Sequence, residues 1–294
     1  MRTFFICSIM LFQFSAHALI GGVEVSPEEM VAQSTVAIIR ESNNLKEIVC
    51  SGTVLGAKLI VTAAHCLDEE LSDRWYIGHG INPLENKLYP VAQFKYVQSV
   101  YSPVKSPIYE IAILITRESL AGLTAARIGK PSSLSESSKL IQVGYGYNLD
   151  EKTSDFPFYG VLKKLTDRSF YSMEGKQALI SESQEIRISN GDSGGPVFLL
   201  DESGLVLHGV VNKTKVKNEK YFAVYTHPYY FQNWIDCSLS NEMKIPVAEN
   251  RTEQYGCGEE PLLDIEELPA YNQMICQKHN PGWILTEDDG CWMK

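Results

Sequence analysis

No stretch of the 294-residue chain approaches the roughly 18 consecutive apolar residues of a spanning helix, so no membrane span is expected. Positive charge is scarce as well. The 26 Lys and Arg residues stand against 36 Asp and Glu, a net charge of −10, which argues against a partner with a phosphate backbone such as nucleic acid. There is no CxxC pair and no other metal-ligand cluster, so neither a metal nor a cofactor is expected. Internal repeats are missing, and low complexity is confined to one serine-rich stretch. The apolar share of 44% and the charged share of 21% are ordinary for a soluble globular chain, which leaves a sizeable core possible.

Residues 1–18 read as a signal peptide. Arg2 supplies a positive start, Phe4 to Phe14 is an almost unbroken apolar run, and Ala16-His17-Ala18 is a small-x-small cleavage site. The protein is therefore expected to be secreted, outside the cell or into a periplasm, after a cut near Ala18. Removing that segment takes away Arg2 and Cys7 and leaves 25 basic against 36 acidic residues, net −11. Six cysteines remain, at 50, 66, 237, 257, 276 and 291, an even number that suggests three disulfides in an exported protein.

Between about 34 and 240 the pattern is that of short strands rich in Val, Ile and Tyr, separated by Gly, Pro, Asn and Ser. The expected strands are Ser34 to Ile39, Glu47 to Leu55, Leu59 to Thr62, Val91 to Val100, Ile111 to Ile115, Leu140 to Val143, Gly204 to Val211 and Tyr221 to Tyr225. The fold class is all-β. The serine-rich stretch Ser132 to Ser138 reads as a connector between two similar halves, and Tyr229 to Leu239 carries an apolar stripe suited to a closing helix. Residues 241–294 hold 11 acidic and 4 basic residues, three cysteines and two tryptophans with little periodicity. They are expected to form a small acidic extension held by disulfides, whose role as docking module, inhibitory tail or stabilising cap stays open; with Cys237, three pairings are possible.

Two strings decide the functional reading: Thr62-Ala63-Ala64-His65-Cys66 and Gly191-Asp192-Ser193-Gly194-Gly195-Pro196. Together they closely resemble the histidine and serine motifs of the chymotrypsin/trypsin-like serine peptidases, the family of a well-worked catalytic triad. The resemblance extends from 19 to about 240. Leu19-Ile20-Gly21-Gly22 resembles the family's mature amino terminus, Val143-Gly144-Tyr145-Gly146 its aromatic-glycine segment, and Val224-Tyr225-Thr226 with Trp234-Ile235 its last strand and helix. It implies two six-stranded antiparallel β-barrels with a C-terminal helix and a disulfide between Cys50 and Cys66. It also implies a monomeric serine endopeptidase acting on peptides or proteins.

The chemistry supports the same reading. A serine hydroxyl is a weak nucleophile until a base within hydrogen-bond reach takes its proton, and His65 can be that base for Ser193. Glycine at 191 lets the N–H groups of Gly191 and Ser193 converge on the developing oxyanion with no side chain in the way. The histidine needs a carboxylate partner, which the family supplies as Asp-Ile-Ala-Leu. Here the matching string is Glu110-Ile111-Ala112-Ile113-Leu114, so Glu110 is the candidate, its extra methylene displacing the carboxylate by roughly 1.5 Å unless the backbone or rotamer compensates.

The resemblance also places the primary specificity pocket. The residue six before the nucleophile, at the pocket base, is Arg187, so a Lys or Arg substrate side chain would meet a like charge there. Arg187 could instead pair with Glu185 or face solvent. Ser189 replaces a cysteine, Asn212-Lys213-Thr214 stands for Ser-Trp-Gly on the opposite wall, and Ala223 for a glycine. In the family, the freed α-amino group, here that of Leu19, pairs with the aspartate before the nucleophile, here Asp192.

Overall fold

The computed structural model describes residues 19–67, 74–96, 110–146, 160–174, 176–183, 186–202, 204–217, 220–240, 263–264, 283–285 and 291–293. The expected signal peptide, Cys257, Cys276 and Glu185 lie outside these residues. Six strands make the first barrel: β1 Thr35–Ser42, β2 Leu45–Val54, β3 Leu59–Thr62, β4 Arg74–Gly78, β5 Tyr89–Tyr96 and β6 Ala112–Thr116. Each pairs antiparallel with two others, and the ring closes in the order 1-2-3-6-5-4. After Thr35, strand β1 runs through Val36, Ala37, Ile38 and Ile39, all fully buried, a run apolar on both faces because one side lines the barrel and the other is covered.

The second barrel repeats the plan with β7 Lys139–Gly144, β8 Lys163–Glu174, β9 Gln177–Glu182, β10 Pro196–Asp201, β11 Gly204–Lys217 and β12 Lys220–Thr226. Its ring closes as 7-8-9-12-11-10, the same order shifted by six. Closure removes the free edges at which sheets aggregate. Between the barrels, the serine-rich connector folds as a 3₁₀ turn, Pro131–Ser133, followed by a turn in which Ser138 N–H donates to Ser135.

Beyond the second barrel, the expected helix begins as a 3₁₀ turn, Pro228–Phe231, and becomes α-helical over Gln232–Ser240. Phe231, Trp234 and Ile235 are buried in a cluster that also holds Val143 and Tyr145 of the second half and the lining of the first barrel. The helix therefore clamps both halves. Of the acidic extension, Leu263–Asp264 pairs with β5 at Phe94 and Gln93, and Trp283–Leu285 pairs with Cys291–Met293. No helix among the described residues is long and apolar enough to cross a membrane.

Candidate active site

At the site the two barrels are tied together by Ser51 on β2. Its N–H donates to the Ser193 carbonyl at 2.8 Å, its hydroxyl donates to the Gly191 carbonyl at 2.8 Å, and the same hydroxyl accepts the Tyr145 N–H at 2.9 Å. Thr62, at the end of β3, donates its hydroxyl to the Ser51 carbonyl at 2.8 Å. The strand carrying Thr62 leads directly into the 3₁₀ turn Ala64–Leu67 that holds His65. Gly194 is packed so closely that a Cβ would stand 2.0 Å from Thr62 Oγ1 and 2.9 Å from the Ala63 nitrogen, and its φ is +77°. The serine loop and the histidine turn are thus in direct contact.

Glu110, just ahead of β6, uses one oxygen for two bonds: Oε2 accepts the His65 backbone N–H at 3.2 Å and lies 3.1 Å from His65 Nδ1. A carboxylate can only accept, so the imidazole proton is on Nδ1 and the Nε2 lone pair is free for a substrate-side proton. His65 keeps 34% of its side chain in solvent against 16% for Glu110, which places the carboxylate behind the ring. Burial pushes the Glu110 carboxyl up, but the hydrogen bond and charge of His65, aided by Lys213, outweigh it and hold the group below its ordinary value. With its extra methylene, the Glu110 side chain still brings a carboxylate oxygen to hydrogen-bond distance of the ring.

Gly191 has φ of +88°, in the left-handed region that favours glycine, and the N–H groups of Gly191 and Ser193 donate to no acceptor among the described residues. The Ser193 hydroxyl donates to the Asn212 carbonyl at 3.4 Å rather than to His65. That carbonyl is free because a bulge between Val211 and Lys213 takes Asn212 out of the β11–β12 ladder.

Asp192 is fully buried behind the loop. Its carboxylate accepts Gly146 N–H at 2.9 Å and Ser189 N–H at 2.8 Å, and the Leu19 N–H faces it as well. Burial nevertheless pushes this carboxyl up to about 6. The aromatic-glycine segment is explained here, since a Cβ at Gly144 or Gly146 would stand 2.3 or 2.5 Å from the Asp192 side chain. Leu19 is itself fully buried, with φ of +45°.

Of the expected pocket residues, Lys213 and Thr214 are exposed on β11, Asn212 is buried, and Ala223 is buried on β12 opposite Thr214. Arg187 is partly buried, and its N–H donates to Ile20 at 3.2 Å; its Nε finds no hydrogen-bond partner among the described residues. Cys50, Cys66 and His65 lie close enough to suggest a metal cluster, but both sulfurs are committed to the Cys50–Cys66 disulfide. A groove of about 640 Å³ lined by residues such as Lys46, Ile48 and Leu84 opens on the first barrel, and none of the catalytic candidates lines it. Ser51 escaped the sequence reading. Its only signal was its place beside Cys50, two strings away from anything with obvious chemistry.

Paired barrels that meet at a carboxylate-held histidine and a glycine-flanked serine are the architecture of the chymotrypsin-type serine peptidases, and that is the class this fold defines. Residues 19–235 match the family model for Trypsin, and the chain belongs to the Trypsin family. It is 26% identical to Trypsin Tyr p 3.0101 of Tyrophagus putrescentiae over 69% of this chain and 76% of that one. It is 24% identical to Inactive CLIP domain-containing serine protease A28 of Anopheles gambiae, over 60% of this chain and 52% of that one. The chain thus spans about half the length of the Anopheles relative.

Proposed function

We propose that this chain is an exported, active serine endopeptidase with Ser193 as nucleophile, His65 as general base and Glu110 as the carboxylate behind it. The observation that carries the reading is the bond between Glu110 Oε2 and His65 Nδ1, which fixes the one tautomer able to take the serine proton. Ser193 Oγ attacks the scissile carbonyl carbon as its proton passes to His65 Nε2. The resulting oxyanion is held by the N–H groups of Gly191 and Ser193. His65 then gives the proton to the leaving amine, whose C–N bond breaks to leave an acyl-serine. Water, deprotonated by the same nitrogen, attacks that ester, and the proton returns to Ser193 as the acid departs.

Domain limits follow the same reading, with a leader over 1–18, a peptidase domain over 19–240 and an acidic extension over 241–294. Cleavage after Ala18 activates the enzyme by freeing the Leu19 ammonium beside Asp192. The backbone supports this. A leucine at φ +45° is strained by about 1 to 2 kcal/mol while residue 18 is attached, and a chain starting at Leu19 has no φ to strain. The cationic Arg187 disfavours Lys and Arg substrate side chains.

A second reading, a binding protein that keeps the fold without the activity, draws on the glutamate at 110, on the altered pocket positions Asn212, Lys213, Thr214 and Ala223, and on the Anopheles relative, which is described as inactive. Incubating the chain from Leu19 onward with a peptide library, with Ser193→Ala as control, separates the two. Cleavage that vanishes in the control supports the peptidase. Equal, background-level turnover in both favours the binder.

A further inference from the structure

The loop that carries Gly191, Asp192 and Ser193 enters the site along a run of four successive backbone donors, each held by a different acceptor. Ile186 N–H donates to Ser183 Oγ at 3.1 Å, Arg187 N–H to the Ile20 carbonyl at 3.2 Å, Ile188 N–H to Glu182 Oε1 at 2.8 Å, and Ser189 N–H to Asp192 Oδ2 at 2.8 Å. Two of these acceptors are buried carboxyl groups. Asp192 is the one implied by the family resemblance, and Glu182 has no assigned role.

Glu182 ends β9 with a side chain fully out of solvent, 3.8 Å from Arg168 Nη2. Arg168 sits on β8, just past a bulge between Leu165 and Arg168, and is itself anchored: Nε donates to Gln142 Oε1 at 2.9 Å and Nη2 to the Ser181 carbonyl at 2.6 Å. A pair of this kind is a costly way to fill space, because apolar residues of similar volume usually serve stability as well or better. What an apolar pair cannot do is accept the Ile188 N–H.

We propose that Glu182, oriented by Arg168, is a positioning residue for the oxyanion loop, holding Ile188 so that the Gly191 and Ser193 N–H groups point where the tetrahedral oxygen forms. The inference rests on the peptidase reading given above. The charged groups that face Glu182 are Arg168 from β8 and Arg187 and Asp192 from the loop. Burial pushes the Glu182 carboxyl up to about 7 against the pull of the Ile188 N–H and the two arginines, and Asp192 pushes the same way as burial. The clamp therefore weakens as the pH falls through that value, because the neutral acid is a poorer acceptor and is no longer held by the charge of Arg168.

The test uses the full chain from Leu19 to Lys294. Glu182→Gln keeps the shape and removes the charge. Oxyanion donors act in the transition state and not on bound substrate, so kcat should fall by about tenfold or more while KM moves less than threefold. Affinity for a peptide boronate, whose tetrahedral adduct puts an oxygen in the same place, should fall by a similar factor. Arg168→Met should shift both quantities the same way, and the double variant should lose less than the two singles combined. Should Glu182→Gln not fold, Glu182→Leu with Arg168→Met removes both charges of the pair, and the same readings apply to it. A folded variant with unchanged kcat and boronate affinity, or with KM and kcat altered alike, overturns the proposal. Absence of turnover in the unmodified chain counts against the peptidase reading alone. In that event amide hydrogen exchange over 186–193 reads the clamp directly, with faster exchange in Glu182→Gln expected and identical exchange contradicting it.

Discussion

Glu110 meets both N–H groups of His65, ring and backbone, through the single oxygen Oε2. The second bond matters because it fixes the glutamate against the turn and leaves the longer side chain no freedom to drift from the ring. Glutamate is therefore the residue that fits this site. Glu110→Asp should retract the carboxylate by roughly 1.5 Å and lower kcat/KM by about a hundredfold. Glu110→Gln, which can donate to Nδ1 and favour the wrong tautomer, should cost about 10⁴ in kcat. Steady-state hydrolysis of one peptide substrate measures both, and an aspartate variant at least as fast as the native chain contradicts the fit.

Ser51 is the smallest group with the largest reach, tying Ser193, Gly191, Tyr145 and Thr62. Ser51→Ala keeps the N–H to Ser193 and removes the hydroxyl, which leaves the Gly191 carbonyl and the Tyr145 N–H buried without that partner. Such a loss costs about 1 to 3 kcal/mol. Thermal unfolding should show the lower stability, and turnover should fall further than occupancy of native protein explains. An unchanged midpoint with unchanged kcat would remove Ser51 from the site.

The sequence was most legible where chemistry constrains it to short strings. His65, Ser193, Gly191 and Asp192 came from such strings, and Glu110 from the apolar strand that follows it. Eight strands are legible because they are apolar or alternate, whereas β4, β8, β9 and β10 are not. Strand β8 reads Lys163-Lys164-Leu165-Thr166-Asp167-Arg168, too polar for a strand pattern, bent by a bulge, and with Asp167 at φ +55°. Strand β10 begins on Pro196, a residue that usually argues against a paired strand. The Glu182–Arg168 clamp had no signal at all, since its partners are 14 residues apart on strands whose pairing no local pattern announces.

A buried histidine pair should make the second barrel sensitive to acid. His227 Nδ1 accepts the Tyr229 N–H at 3.4 Å, so its proton is on Nε2, 3.3 Å from His208 Nδ1, and the His208 proton then faces Ser133. Burial pushes His208 down to about 4, opposed by Asp201, and pushes His227 down to about 3, helped by the His208 charge. Both folded values lie below the unfolded 6.5, so stability is full above that pH and is lost as pH falls toward the folded values. Glu182 and Asp192, raised by burial, act in the opposite sense between about 4 and 7. The histidine contribution is therefore read as a difference. Unfolding free energy of His208→Gln should depend less steeply on pH between 6.5 and 4.5 than that of the native chain, by up to about 1.4 kcal/mol per pH unit. Parallel curves would show that the pair is not protonated on unfolding.

Activation by the export cut predicts an amino terminus at Leu19 in secreted protein, read by terminal sequencing. A chain retaining one methionine before Leu19 should be nearly inactive, because an uncharged amide replaces the ammonium beside the buried Asp192, a loss of about 3 to 5 kcal/mol. Full activity with the extra methionine would mean that the loop is ordered without the pair.

The central claim, that His65 activates Ser193 as a nucleophile, is tested most directly by labelling the folded chain from Leu19 onward with a fluorophosphonate and mapping the adduct by peptide mass spectrometry. The account predicts one adduct, on Ser193, that is lost in His65→Ala and formed far more slowly in Glu110→Gln. A folded protein that takes up no probe, or that is labelled at Ser193 equally well without His65, would contradict it.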